Sequence, residues 1–524
     1  MQPTPLLSRF LLFFGISLIT VSSFAQPLHP VQIDSVVQKA METFNVPGMA
    51  VAVIKDDTVL LQKGYGIQSI KTKKPVNTQT LFGVASNTKA FTSAALAQLV
   101  DEKKITWDTR VIDIIPEFKL YDPYVTREFT IRDLLTHRSG LGLGAGDLMV
   151  IPEANSTSLE EMIHNLQYLK PVSSFRSKYD YDNLLYIVAG EIVTRISGVD
   201  YEDYISTHFF KPLHMTRATM DLEKIRADDN RIDGHAPVDG ELKITKETFT
   251  EIAKPAAGIN ASIEDMVKWV KVRLNYGRYG EDQKDSLFSK KQAREMWTAQ
   301  TITPHQKGNY NTHFSAYGLG WALKDVQGYL QASHTGGLFG IVSRITLIPE
   351  LKLGIIVLTN QESGAAFNAV TNTIKDGYLG VQNQDRILQY NQSRLKAEKK
   401  AHQITSKVKQ EIQEQLRIKK APLISFEEIA GTYKDPWFGE VTIQKTKDKV
   451  RFTSKKSLNL QGNMTYYKGS TYVVNWDDPS FNADAFVTFR LNTEGRANGF
   501  TIQAISPLTD FSFDFQDLNF KKID

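Results

Sequence analysis

The stretch Leu81–Val100, LFGVASNTKAFTSAALAQLV, sets Ser86 three residues before Lys89, where an apolar approach gives way to a helical run. Residues three apart on a helix share a face, so the Lys89 amine can reach the Ser86 hydroxyl. Two readings compete. In one, Ser86 caps the helix and Lys89 carries its charge out to solvent. In the other, the hydroxyl sits where backbone N–H groups and the helix dipole favour developing negative charge, and a lysine whose charged form is disfavoured accepts its proton. Spacing alone does not choose, because about two Ser-x-x-Lys matches are expected by chance in a chain this long. Ser393 with Lys396 and Ser406 with Lys409 repeat it inside a polar, lysine-rich segment, where both read as solvated side chains. Context separates Ser86 from these, with LFGVA before it and a strongly amphipathic helix expected after it.

Two further motifs follow along the chain. In YDYDNLLYIVAGEIV, Tyr181 and Asn183 stand immediately before a helical apolar run. A phenol near a lysine relays protons, and an amide orients a lysine and a substrate carbonyl; a helix-start turn with a packing tyrosine is the plainer reading. In SHTGGLFGI, His334, Thr335, Gly336 and Gly337 lead into a β-rich run from Ile341. The glycines permit close backbone approach to a ligand, and an edge-strand N–H there would face a carbonyl oxygen. The plainer reading is a tight turn.

Around these motifs the chain divides by pattern. VQIDSVVQKAMETF spaces apolar residues as a helix, and MAVAVIKDDTVLLQKGYG reads as two strands about a turn at Asp56 and Asp57. Ile341–Asn360 gives two more strands broken at PELK, with a helix over Ala365–Tyr378, so strands from both ends are expected to share one antiparallel sheet. Ala90 to Lys291 reads as a mostly helical lobe. Residues 384–420 are polar, lysine-rich and free of Gly and Pro, the pattern of a solvated helical linker. From 424 to 524, alternating segments such as VTIQKT, VRFTS and AFVTFRL predict a small antiparallel β domain, closed or nearly closed as a meander barrel. The fold class is thus α/β: an antiparallel sheet flanked by helices, a mostly helical lobe, and a β-barrel-like domain.

Ser–Lys, Tyr–Asn and a Gly strand, in that order, are what serine acyl transfer needs. Here the chain resembles the serine β-lactamase and penicillin-binding-protein superfamily, most closely class C β-lactamases and the related esterases and D-aminopeptidases. SNTK, YDN and HTGG carry the likeness, and FTIRDLLTHRSGL, FKPLHMTRATM, GINASIEDMVKW and YGLGW extend it over about Val31–Gly380, so a hydrolase domain is placed at 31–380. The terminal domain is similar to the lipocalin-like barrel behind some of these hydrolases. The resemblance implies Ser86 as nucleophile, Lys89 and Tyr181 sharing the base role, and Asn183 holding Lys89 and substrate. It places the N–H groups of Ser86 and Gly337 in an oxyanion hole, with His334, Thr335 and Gly336 on the substrate-binding strand. One departure bears on substrate: the third motif begins with His334 where class C enzymes have lysine, which removes a fixed charge for a substrate carboxylate. A small ester or amide, including D-amino-acid and cell-wall-derived peptides, is therefore expected before a β-lactam. A penicillin-binding DD-peptidase, a β-lactamase and a non-catalytic scaffold or sensor stay as alternatives.

Composition sets the outer limits. With 524 residues, 41% of them hydrophobic, the chain supports a large core and more than one domain. It has no cysteine, which excludes disulfides, thiolate metal sites and a cysteine nucleophile. The scattered histidines lack zinc spacing, and neither metal nor cofactor is expected. A net charge of +4 offers no broad nucleic-acid surface. Residues 1–25 combine Arg9, the apolar run FLLFFGISLITVSSF and small residues Ser23 and Ala25, the pattern of a cleaved export signal, so a periplasmic or secreted location is expected. Covering the cleft, binding a partner and forming homo-oligomers are all open roles for the terminal domain.

Overall fold

The computed structural model describes residues 26–152, 157–246, 250–305, 307–418, 422–446 and 449–523. The export signal expected over residues 1–25 lies outside them. Gly48–Lys55 and Thr58–Gly66 form a hairpin in which Asp56 and Asp57 take positive φ, the geometry of a two-residue turn that matches strand twist. Gly48–Lys55 then pairs antiparallel with Leu353–Thr359, register Met49 to Thr359, so the sheet joins both ends of the hydrolase region. Eight strands run in the order 58–66, 48–55, 353–359, 341–348, 329–338, 322–326, 315–317 and 301–303.

Alternation along the central strands explains why both faces are covered. Met49, Val51 and Val53 pack in one cluster with Val37 and Phe44 of helix Pro30–Phe44 and Val370 and Ile374 of helix Gly364–Leu379. Ala50, Ala52 and Ile54 point the other way, into the cluster holding Met266, Trp269 and Val270 of helix Ile263–Leu274 and the helical lobe. Successive side chains leave opposite sheet faces, so one strand feeds two cores. The middle lobe carries short helices and, besides them, hairpins such as His235–Val238 with Glu241–Ile244.

Helix Lys89–Asp101 departs from the amphipathic expectation. Every residue from Lys89 to Leu99 is buried, because Ala90, Ala94, Ala95 and Ala97 let it thread the core with neighbours on all sides. The lysine-rich segment is one helix, Arg386–Arg417, and is not wholly solvated: Ile387, Ala401 and Val408 are buried, Arg386 pairs with Asp376 at 2.6 Å, and Glu411 reaches Lys468 of the terminal domain at 2.8 Å. Beyond it, strands 431–435, 439–446, 449–454, 461–468, 471–476, 485–491, 497–504 and 520–522 close an eight-stranded antiparallel barrel. Its interior is aromatic, with Phe500 and Phe520 stacked at 4.5 Å. Among the described residues no helix is long and apolar enough to cross a membrane.

Candidate active site

Ser86 sits in a 3₁₀ turn, Ala85–Thr88, that runs into helix Lys89–Asp101, and its hydroxyl caps nothing. The preceding residue, Ala85, has φ 49°, a left-handed conformation that costs about 1–3 kcal/mol for a non-glycine residue and persists only when its surroundings enforce it. They do so here. Ser343 of strand Ile341–Ile348 donates its hydroxyl to the Val84 carbonyl at 2.7 Å and accepts from Asn87 Nδ2 at 2.8 Å, clamping the turn onto the sheet.

Lys89 is fully buried and has three neighbours: Asn183 Oδ1 at 2.7 Å, the Ala256 carbonyl at 3.0 Å and Ser86 Oγ at 3.1 Å. Burial lowers its pKa to about 7, against the pull of Asp147 and Asp182 in the other direction. Two of the three neighbours are carbonyl oxygens, which only accept. A neutral amine has two N–H bonds and one lone pair, so when both N–H groups serve Asn183 and Ala256 the lone pair is left for the Ser86 hydroxyl. The solvated-lysine reading of this motif is thereby excluded, whereas Ser393 and Lys396 lie exposed on helix Arg386–Arg417.

Asn183, just ahead of helix Leu184–Ser197, adds to the expectation in one respect. Its Nδ2 donates one N–H to Asp147 Oδ2 at 2.7 Å, which fixes the amide between Asp147 and Lys89 and leaves its second N–H unassigned at the cleft wall. Asp147 was not foreseen. It is fully buried, and burial together with the nearby Asp182 pushes its pKa up to about 8. The Tyr181 ring lies 4.9 Å from Lys89 Nζ and 4.2 Å from the His137 ring. Its hydroxyl is buried without a hydrogen-bond partner, and burial raises its pKa well above 10 despite the Ser86 hydroxyl nearby.

His334–Gly337 belong to strand Tyr329–Leu338, not to a turn. Pairing with Ala322–Val326 ends at Ser333, so from His334 onward only Ile341–Ile348 flanks the strand and its other edge lies open, as an oxyanion-binding edge requires. A Cβ on Gly336 would lie 2.2 Å from the Val84 carbonyl; at Gly337 it would meet nothing within 4 Å. Gly336 therefore lets the strand press against the turn that carries Ser86, and of the two only Gly337 faces open space. His334 donates from Nδ1 to the Thr335 carbonyl at 2.6 Å and accepts at Nε2 from the Tyr317 hydroxyl at 2.8 Å. Burial and the Lys89 charge lower its pKa to about 3, so it is a neutral strut.

Ser86, Tyr181, Asn183 and His334–Gly337 line one cleft of about 560 Å³. Arg344, directly across from Thr335 in the sheet register, lines it too and pairs with Asn368 and Thr346, with no carboxylate partner among the described residues. The barrel adds part of the remaining wall, its 505–519 connection bringing Asp510, Phe511 and Ser512 into the cleft beside Val150, Ile151 and Glu362 of the hydrolase region. No group of three or more His, Asp or Glu residues that could hold a metal occurs among the described residues.

A family model described as Beta-lactamase matches residues 33–377. The chain belongs to the beta-lactamase family. A second model, described as a domain of unknown function, matches residues 418–522. Among curated members and relatives, the unguisins hydrolase ungD of Aspergillus violaceofuscus is 27% identical over 67% of this chain and 65% of its own length. The protein flp of Staphylococcus aureus is 27% identical over 63% of each chain. The chain thus spans less than two thirds of these relatives' length. In structure, the octameric penicillin-binding protein homologue from Pyrococcus abyssi aligns over 94% of this chain and all of its own, with TM-score 0.61 and 20% identity. A class C beta-lactamase aligns over 68% of this chain and 98% of its own, with TM-score 0.54 and 20% identity. The beta-lactamase fold is joined here to a closed barrel.

Proposed function

We propose that the protein is an exported serine hydrolase that cleaves small esters or amides, D-amino-acid peptides among them, through an acyl-enzyme on Ser86. The observation that carries this reading is the fully buried Lys89 amine, 3.1 Å from Ser86 Oγ, with two carbonyl acceptors directing its lone pair there. Ser86 Oγ attacks the substrate carbonyl as its proton passes to Lys89 Nζ. The N–H groups of Ser86 and Gly337 hold the oxyanion, and one such donor is typically worth 10²–10³ in turnover. When the carbon–leaving-group bond breaks, the proton on Lys89 goes to the departing oxygen or nitrogen. Water then cleaves the ester to Ser86. Tyr181 keeps its proton at rest, so it acts as donor and relay, and Lys89 is the base. The relative named as an unguisins hydrolase supports a hydrolytic role for this member.

Arg344 supports a second reading. A cation without a carboxylate partner in the cleft suits a substrate carrying a carboxylate, as β-lactams and peptide C-termini do. Intact mass after a serine-directed fluorophosphonate, with p-nitrophenyl ester turnover, tests the first reading in wild type and Ser86→Ala. An adduct and turnover only with Ser86 are expected; equal behaviour of the two proteins would remove the nucleophile and favour the scaffold alternative. Stable labelling by penicillin would favour the second reading.

A further inference from the structure

The barrel does more than border the cleft. Ser512, on the connection between strands Ala497–Ala504 and Phe520–Lys522, donates its hydroxyl to Asp147 Oδ2 at 2.8 Å. That oxygen is the one that accepts from Asn183 Nδ2 at 2.7 Å. Two residues on, the Asp514 carboxylate accepts from the backbone N–H of Gly146 at 2.6 Å and of Leu148 at 3.3 Å, the two neighbours of Asp147. The barrel connection therefore holds Asp147 by its side chain and by its backbone. Asp147, Asp514 and Ser512 are all buried, at 0%, 0% and 5% exposure, so water does not substitute for these contacts. An unbroken hydrogen-bonded chain runs from Ser512 through Asp147 and Asn183 to Lys89 and Ser86.

Resting on the acyl-serine reading above, we propose that Ser512 and Asp514 of the terminal barrel are positioning residues for the hydrolase: they fix Asp147, which orients the Asn183 amide so that its oxygen holds Lys89 against Ser86. An amide has one acceptor end and one donor end. With Asp147 accepting from Nδ2, Oδ1 is forced toward Lys89; with Asp147 displaced, the amide is free to rotate and present Nδ2, which repels the amine's N–H groups and competes with the Ser86 hydroxyl for its lone pair. The barrel thereby sets the amide's orientation through Asp147.

The test is a double-mutant cycle on the full-length protein, reading the rate of Ser86 phosphonylation and kcat/KM for a p-nitrophenyl ester. Ser512→Ala is expected to slow both about 10-fold with little change in KM, Asp147→Ala about 100-fold, and Ser512→Ala in the Asp147→Ala background not at all. Ser512→Thr, which keeps the hydroxyl, restores the rate. An undiminished rate in Ser512→Ala, or losses that simply multiply in the double variant, would overturn the proposal. Hydrogen exchange of Gly146 and Leu148 in Asp514→Asn reads the same grip without turnover. Faster exchange is expected, and unchanged exchange counts against the proposal. If wild type takes no phosphonate at all, the acyl-serine reading is what fails, and the exchange result alone then decides whether the barrel positions Asp147.

Discussion

Alanine at Gly336 should disable the protein by pushing on the backbone that carries Ser86. The added Cβ would lie 2.2 Å from the Val84 carbonyl oxygen, 2.5 Å from Ser343 Oγ and 3.0 Å from Ala85 Cβ, where ordinary contact begins near 3.4 Å. If the carbonyl alone yields, it retreats by roughly 1 Å, the difference between 3.4 and 2.2 Å, which is the scale of misplacement that costs an active site about 10²-fold. It cannot yield alone, since the same oxygen holds the Ser343 hydroxyl and the next two residues are Ala85 and Ser86. Overpacking of this kind also removes about 1–3 kcal/mol of stability. Neither Gly336 nor Gly337 has positive φ, so the effect is steric and not one of backbone preference. Gly337→Ala is the matched control, because its Cβ meets nothing within 4 Å and its N–H is retained. Urea midpoints and phosphonylation rates of the pair provide the assay. Gly336→Ala reacting at the wild-type rate, or both variants losing rate alike, would refute the claim that Gly336 exists to seat the nucleophile turn.

Further outcomes follow from the same geometry. Acylation should rise with pH and level off above about 7, the lowered pKa of Lys89, because only the neutral amine has a lone pair for Ser86; a limb near 10 in the pH profile of kcat/KM would contradict this. Because the unfolded lysine holds its proton up to 10.5 and the folded one only to about 7, stability gains from pH 7 to 10.5, and Lys89→Met should flatten that slope in denaturation series. Tyr181→Phe removes a buried hydroxyl that has no partner at rest, so stability is expected to hold or rise while ester turnover falls at least tenfold, read by calorimetry beside kinetics. Arg344→Ala should raise KM for carboxylate-bearing substrates by about 10-fold or more and leave neutral esters unaffected; equal effects on both would show that the guanidinium packs and does not bind.

Local pattern made the sheet, the barrel and the Ser86–Lys89 pair readable, since strand alternation and helical spacing are properties of a few neighbouring residues. The role of Gly336 was half readable: close approach was foreseen, but the partner is the backbone before Ser86, which only the folded register reveals. Asp147 left no signal, being a single acid at the start of a short 3₁₀ turn 36 residues before the Asn183 it bonds. Ser512 is 365 residues from Asp147 and belongs to another domain, so no periodicity connects them. Arg344 faces the cleft because strand register sets it opposite Thr335, a pairing that composition does not encode. The helix at Lys89–Asp101 misled in the other direction, its alanines reading as a plain apolar face while they allow burial all round.

The barrel connection also imposes an order in time. Ser86, Lys89, Asp147 and Asn183 are all synthesised by residue 183, whereas Ser512 comes 329 residues later, 512 less 183. At about 5–20 residues per second that interval is roughly 15–65 s. The contact that fastens Asp147 cannot form before Ser512 itself has been made. On the acyl-serine reading, a nascent chain thus carries Ser86 and Lys89 long before it carries the hydroxyl proposed to aim them.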